Sequence, residues 1–207
     1  MAHIDHLVTA GNKDPQGPPE HENNVWIVGD AVEVIVIDPA HDPAAIAREV
    51  AGRRVVAIVC THGHWDHCRS ARDFAGLVGN PPLHLGEADR FLWAESHDDA
   101  PFTPLADGDV LRVAGIELRA MATPGHTPGS TCLYAPALAA VFTGDTLFEG
   151  GPGATGRSFS DFPTIVASIT DKLLVLPEET VVHTGHGGTT TIGAEKPHRQ
   201  EWLDRGH

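Results

Sequence analysis

The chain has one tyrosine, three cysteines and only 14 lysines and arginines among its 207 residues. Set against 28 aspartates and glutamates, those few cations leave a formal net charge of −14. A surface of that sign repels phosphates, so nucleic acid is not an expected partner. Cys60, Cys68 and Cys132 are odd in number and form no CxxC pair. That excludes a disulfide scaffold and leads us to expect a reduced, cytoplasmic compartment. No apolar run approaches the roughly 20 residues that cross a bilayer. The opening MAHIDHLVTA lacks the basic and apolar regions of a secretory signal, so neither a membrane nor export is expected. What the chain does have is histidine, 14 residues of it, and that points to metal ions.

Length and a 41% hydrophobic content suit one globular domain spanning 1–207. Residues 11–24 (GNKDPQGPPEHENN) read as a surface loop. Val25 to Val28 and Val32 to Ile37 read as paired strands, and Asp42-Pro43 opens a helix to about Val50. RVVAIVC (54–60) is a buried strand that ends in THGHWDH, followed by a helix over SARDFAGLV. Further on come a strand at 82–85, a helix at 87–95 and a hairpin turning at Ala114-Gly115. Strands at 130–135 and 139–143, a helix over 164–176 and a strand at Val181-Val182 complete the pattern. The interleaving lacks a regular βαβ period, so two sheets with helices outside are expected.

The chemistry concentrates in Thr61-His62-Gly63-His64-Trp65-Asp66-His67. In extended chain, residues two apart point the same way, so His62 and His64 can grip one ion. Where the chain bends into a helix, Asp66 and His67 turn toward a neighbouring position. Three more segments place a ligand-capable residue at a Gly-flanked strand exit: TPGHTPGS with His126, FTGDTLF with Asp145 and HTGHG with His186. Five imidazoles and two carboxylates suit two divalent ions, Zn²⁺ first, with Fe or Mn as substitutes.

HxHxDH followed by a His, an Asp and a His in these settings resembles the metallo-β-lactamase superfamily, and most of all compact relatives of glyoxalase II. The resemblance runs from VWIVGDAVEVIVIDPA to TTIGAEK. It implies an α/β fold, a four-layer αββα sandwich with the site along one edge. It also implies that His62, His64 and His126 hold the first metal, Asp66, His67 and His186 the second, and that Asp145 bridges them. The activity implied is hydrolysis of a small-molecule thioester by water activated between two ions and oriented by Asp66. The segment GGPGATGRSFSDFPT and the tail TTIGAEKPHRQEW resemble an actinobacterial group linked to S-acyl- and S-formyl-mycothiol conjugates.

Rivals within the same fold are weighed on the same residues. Class B1 lactamases carry Cys where Asp145 stands, and lactonase relatives add an active-site Tyr, whereas Tyr134 falls on an expected core strand. A persulfide dioxygenase, with one iron held by His62, His126 and Asp145, shares HxHxDH and remains the alternative, as does another lactonase- or lactamase-like hydrolase. Classical glyoxalase II has a C-terminal glutathione-binding domain, for which little chain remains after His186. Arg157 matches a GR element beside the site, as a substrate contact or a loop-stabilising ion pair. His198 is a candidate for lining the pocket. Cys68 is expected to be a small buried helix residue, and His84 and His183 packing or surface histidines. His41, His97 and His207 show no constellation.

Overall fold

The computed structural model describes residues 1–206 other than residue 15, so His207 lies outside the described residues. Layering is decided by alternation in two strands, β2 (His21–Gly29) and β3 (Glu33–Ile37), which pair antiparallel with Trp26 opposite Ile37. Successive side chains of a strand point to opposite faces. Val25, Ile27, Val34 and Val36 therefore enter one core, and Trp26, Val28, Ile35 and Ile37 another. A sheet apolar on both faces must be covered on both.

β1 (His3–Gly11) adds an antiparallel edge to β2, while β4 (Arg54–Val59), β5 (Leu83–Leu85) and β6 (Thr103–Pro104) extend from β3 in parallel. The helices of this half are α1 (Pro43–Val50), the single turn α2 (Trp65–Cys68), α3 (Ala71–Leu77) and α4 (Arg90–His97). Ile46, Val50, Phe74 and Trp93 seal its outer face. The second sheet has the order β14-β13-β10-β9-β8-β7. Its strands are β7 (Val110–Val113), β8 (Ile116–Ala122), β9 (Thr131–Ala135), β10 (Ala140–Gly144), β13 (Val181–Thr184) and β14 (Thr190–Thr191). A separate ribbon pairs β11 (Leu147–Phe148) with β12 (Gly151–Pro152).

Val113, Leu118, Leu133 and Phe142 meet the first sheet in the central core. On the far side Val141 and Val182 pack under α5 (Phe162–Ser168), α6 (Ile192–Glu195) and α7 (Arg199–Arg205), through Ile165, Ile192 and Trp202. The order helix, sheet, sheet, helix is the expected αββα sandwich. Within each sheet β3 and β4, and β10 and β13, run parallel, while β8 and β10 are both antiparallel to β9. The chain thus leaves β3, β4, β8, β10 and β13 at the edge where the site forms.

The structure corrects several expectations. The loop over 11–24 covers only part of that range, because β1 runs to Gly11 and β2 already starts at His21. The helix expected over 164–176 starts earlier, with the Asp161 side chain accepting from the Thr164 amide, and widens into a π-helical turn at Ile169–Leu173. The helix expected at 87–95 opens as a 3₁₀ turn before α4. The C-terminal helices α6 and α7 were not foreseen. Cys60, Cys68 and Cys132 are free and buried. Among the described residues no helix is long and apolar enough to cross a membrane.

Candidate metal centre

The His-rich loop is anchored before its first ligand. Asp38, at the end of β3, accepts hydrogen bonds from the Thr61 amide and the Thr61 Oγ1, each at 2.7 Å. His62 and His64 then stand two apart in extended chain, with His62 Nε2 2.9 Å from His64 Nδ1. The turn α2 follows at once and carries Asp66 and His67 away from that pair. Gly63 is required by crowding, since a Cβ there would lie 2.7 Å from Leu92 Cβ and 3.1 Å from Asp89. Asp89 is wholly buried and binds both halves of the site: it accepts from the Gly63 amide at 2.8 Å, from the Gly129 amide at 2.6 Å and from Thr127 Oγ1 at 2.6 Å. It thereby ties the His62–His67 loop to the loop that carries His126.

His126, Asp145 and His186 enter from the ends of β8, β10 and β13. All seven residues come together, and their ligand atoms fall into three overlapping groups, each within 4.8 Å: His62, His64 and His126; His62, His67 and Asp145; Asp66, His67 and His186. Within the first, His126 Nε2 lies 3.0 Å from His64 Nδ1; within the last, His67 Nε2 lies 3.2 Å from His186 Nε2. Asp145 reaches both, with Oδ1 3.4 Å from His67 Nε2 and Oδ2 3.6 Å from His126 Nε2 and 3.5 Å from His186 Nε2.

These residues fit bound cations on three counts. Tetrahedral Zn–N bonds of about 2.0–2.1 Å put neighbouring ligand atoms about 3.3 Å apart, close to the spacings seen. Asp145 Oδ1 is buried with no hydrogen-bond partner among the described residues, so its lone pairs are free for an ion. A Cβ on Gly185 would sit 2.3 Å from that same oxygen, so the chain leaves the space open.

Four of the five ring nitrogens facing away from the cluster are fixed, while His64, which turns Nδ1 inward, leaves Nε2 without a hydrogen-bond partner among the described residues. His67 Nδ1 donates to Asp38 Oδ2 at 2.9 Å, His126 Nδ1 to the Ala154 carbonyl at 2.7 Å and His186 Nδ1 to the Glu22 carbonyl at 2.6 Å. His62 Nδ1 lies 3.2 Å from Thr61 Oγ1, which itself donates to Asp38. Such bonds set the tautomer and aim each Nε2 inward.

Charge is divided unevenly. Burial holds His62 well below the usual histidine range, and burial, then His126 and Arg157, take His64 down to about 3. Burial acts the same way on His67 and His186 but is outweighed. Asp145, Asp66 and Asp38 raise His67 well above its usual range, and hydrogen bonds to Asp145 and Asp66 lift His186 to about 10. Asp66 and Asp145, which burial alone would raise, are instead held far down, chiefly by His67. Without ions, protons on His67 and His186 balance the carboxylates. Metal uptake at about pH 7 is therefore expected to release protons, because each ligand nitrogen must give up its proton to bind. Calorimetry in buffers of different ionisation enthalpy measures the number, and zero release would contradict this charge assignment. The sign for the metal-free fold follows: the raised His186 pKa stabilises it fully below the ordinary histidine value, and that contribution is lost as pH rises toward about 10.

Arg157 is exposed, in the loop after β12, where its charge acts on His64. Its amide donates to Ser160 Oγ at 2.9 Å. Phe159, two residues on, stands 5.9 Å from the His64 ring with Phe91 behind it at 5.4 Å. His198 is not brought into this cluster: it is half-exposed, with Nδ1 3.1 Å from Glu201 Oε2 one helical turn on. Cys68 is a buried helix residue, with its thiol 3.3 Å from the Gly63 carbonyl. His183 stacks on Phe142 at 5.0 Å as a packing residue, and His97 reaches the Cys68 carbonyl at 2.8 Å. Sequence reasoning missed Asn23, Asp38, His41 and Asp89. Asp38 and His41 flank the strand exit IDPAH, and a polar residue at a strand exit was the available signal.

The profile of the metallo-beta-lactamase superfamily matches residues 18–186. Hydroxyacylglutathione hydrolase GloC of Haemophilus influenzae is 30% identical over 190 residues, 84% of this chain and 90% of that protein. Among solved structures, the B3 metallo-β-lactamase BLEG-1 is similar with a TM-score of 0.78 at 26% identity, covering 95% of this chain and 98% of its own. TTHA1623 in a di-iron-bound form is similar with a TM-score of 0.77 at 28% identity, over 91% of this chain and 96% of that one. The match ends on His186, the last of the seven converging residues, and with the αββα layering it makes this chain a metal-dependent hydrolase of the metallo-β-lactamase superfamily.

Proposed function

We propose that the chain hydrolyses a small-molecule thioester with two divalent ions, Zn²⁺ first among them. His62, His64 and His126 would hold one, Asp66, His67 and His186 the other, and Asp145 would touch both. The observation that carries this reading is the position of Asp145, whose two oxygens lie 3.4 to 3.6 Å from nitrogens of both triads. Ions held there lower the pKa of a bound water and polarise a carbonyl.

The chain's own residues supply the rest. Asp66, 14% exposed in its side chain, orients the attacking water by accepting a hydrogen bond from it. Phe159 stands beside His64 with Phe91 behind it, and the Arg157 charge acts on the His64 ring, so the three would offer the substrate an aromatic surface and a cation. The seven converging residues are committed to ions, so no free acid among them protonates a leaving group. A thiolate leaves without that help and an amide nitrogen does not. The likeness to GloC supports the same class, and the narrower form of the proposal is an S-acyl- or S-formyl-mycothiol conjugate.

The likeness to BLEG-1 favours a second reading, β-lactam hydrolysis. Kinetics on one zinc-quantified preparation decide between them. A kcat/KM for thioesters at least about a hundredfold above that for β-lactams is expected, a gap of roughly 2.7 kcal/mol in transition-state stabilisation. Equal or better turnover of a β-lactam would overturn the thioesterase. One iron per chain, with oxygen uptake on a thiol persulfide, would replace it with the dioxygenase.

A further inference from the structure

Asn23 sits on β2, 1% exposed, where the polar composition of the segment suggests a loop. Its Nδ2 lies 3.2 Å from Asp66 Oδ2, 3.3 Å from His67 Nε2 and 3.5 Å from His186 Nε2. Every residue of the Asp66–His67–His186 group is thus within reach of one amide. Its Oδ1 faces the opposite way, 2.7 Å from His41 Nε2. The orientation of the amide follows from its neighbours. With ions on His67 and His186, the amide turned over would set its oxygen against the Asp66 carboxylate, two acceptors facing each other with no proton between them. As placed, it donates to Asp66 and accepts from His41.

His41 is itself held at a cost. Its φ of 58° lies in the left-handed region that glycine adopts freely and other residues avoid. Its ring is packed against Gly11, where an added Cβ would lie 2.3 Å from Nδ1, and it stands 5.6 Å from the Trp65 ring. A strained backbone that aims one ring nitrogen at a buried amide is a specific arrangement, and it lies next to the cluster.

We propose that Asn23 is a positioning residue for the second metal-binding group, its amide held toward Asp66 by His41. The proposal rests on the two-ion reading above. Once ions take the lone pairs of His67 and His186, Asp66 Oδ2 is the acceptor that remains for the Asn23 N–H. A carboxylate that receives this bond cannot rotate freely, so Oδ2 is held where it lies 3.4 Å from His186 Nε2 and 3.6 Å from His67 Nε2. Partners of this kind change metal affinity by about 10- to 100-fold in known sites.

The test measures both zinc equivalents by chelator competition, in the wild type and in Asn23→Leu and His41→Gly, with visible absorption of the Co²⁺-substituted proteins. Leucine keeps the branched shape of asparagine without its donor, and glycine takes φ 58° without strain. Asn23→Leu is expected to weaken the second equivalent by about 10- to 100-fold, leave the first within about twofold, and alter the Co²⁺ bands of the second site. His41→Gly is expected to shift the second equivalent in the same direction by a smaller factor, while the metal-free protein melts no lower than wild type. A wild type that holds two ions and an Asn23→Leu variant with unchanged second affinity and spectrum would overturn the positioning role alone. Equal weakening of both equivalents would also overturn it, as general damage. A wild type that takes up one ion would overturn the two-ion reading and this proposal with it.

Discussion

Asp145→Ala is expected to hold at most one ion per chain and to lose at least about a thousandfold in kcat/KM, or about 4 kcal/mol. The carboxylate lies within 3.4 to 3.6 Å of His67, His126 and His186, and no other carboxylate reaches both triads among the groups the structure brings together. Alanine leaves His67 and His186 with Asp66 as the remaining acidic member of their group. Two effects follow: an ion there loses a charged ligand, and the metal-free protein loses the countercharge that keeps those imidazoles protonated. Elemental analysis of the purified variant with thioester kinetics on the same sample provides the measurement. Two ions with wild-type turnover would refute the bridging role.

Asp89→Ala is expected to destabilise the fold by about 3 kcal/mol and to impair activity although Asp89 is no ligand. Its carboxylate accepts from the Gly63 and Gly129 amides and from Thr127 Oγ1, at 2.6 to 2.8 Å. Leaving buried donors unsatisfied costs about 1–3 kcal/mol each, and three of them would suggest a larger sum. Burial raises the Asp89 pKa even against those three bonds, so the native carboxylate is itself only partly compensated. That places the expected loss toward the low end. Gly63 lies between His62 and His64, and Thr127 follows His126, so loosening either segment moves first-triad nitrogens. Urea unfolding of metal-free wild type and variant measures the difference, and a loss under about 1 kcal/mol would show that the loops hold each other without Asp89.

The candidate ligands were legible because their geometry is local. His62, His64, Asp66 and His67 occupy six consecutive positions, and extended chain followed by one helical turn carries them to two neighbouring places whatever the rest of the fold does. His126, Asp145 and His186 each announce a strand exit by glycines. The αββα layering was partly legible in the valine and isoleucine runs, and was completed by resemblance. β1 escaped because it is an edge strand with one buried residue, Thr9, so almost no apolar alternation marks it. α7 escaped because Trp202 is its single buried residue. Asn23 was assigned to a loop on composition, yet its place on β2 puts it beneath the site. Asp38 and Asp89 act across 23 and 40 residues of chain, on Thr61 and Gly129. No short motif encodes a bond of that span. His198, near the end of the chain, lies outside the cluster and stands 3.1 Å from Glu201 of the last helix.

The placement of the ligands on both sheets also bears on how the chain folds. His67 and His186 are separated by 119 residues, and His64 and His126 by 62, yet each pair meets within 3.2 Å. Closing loops of that length carries an entropic cost that must be met before any contact rewards it. The apolar seam between the sheets, with Trp26, Leu133 and Phe142, is where that reward lies. A chain with its first sheet alone in place displays His62, His64, Asp66 and His67 but neither complete group of ligands. Native-like metal capture during refolding is therefore expected only after one sheet has docked on the other.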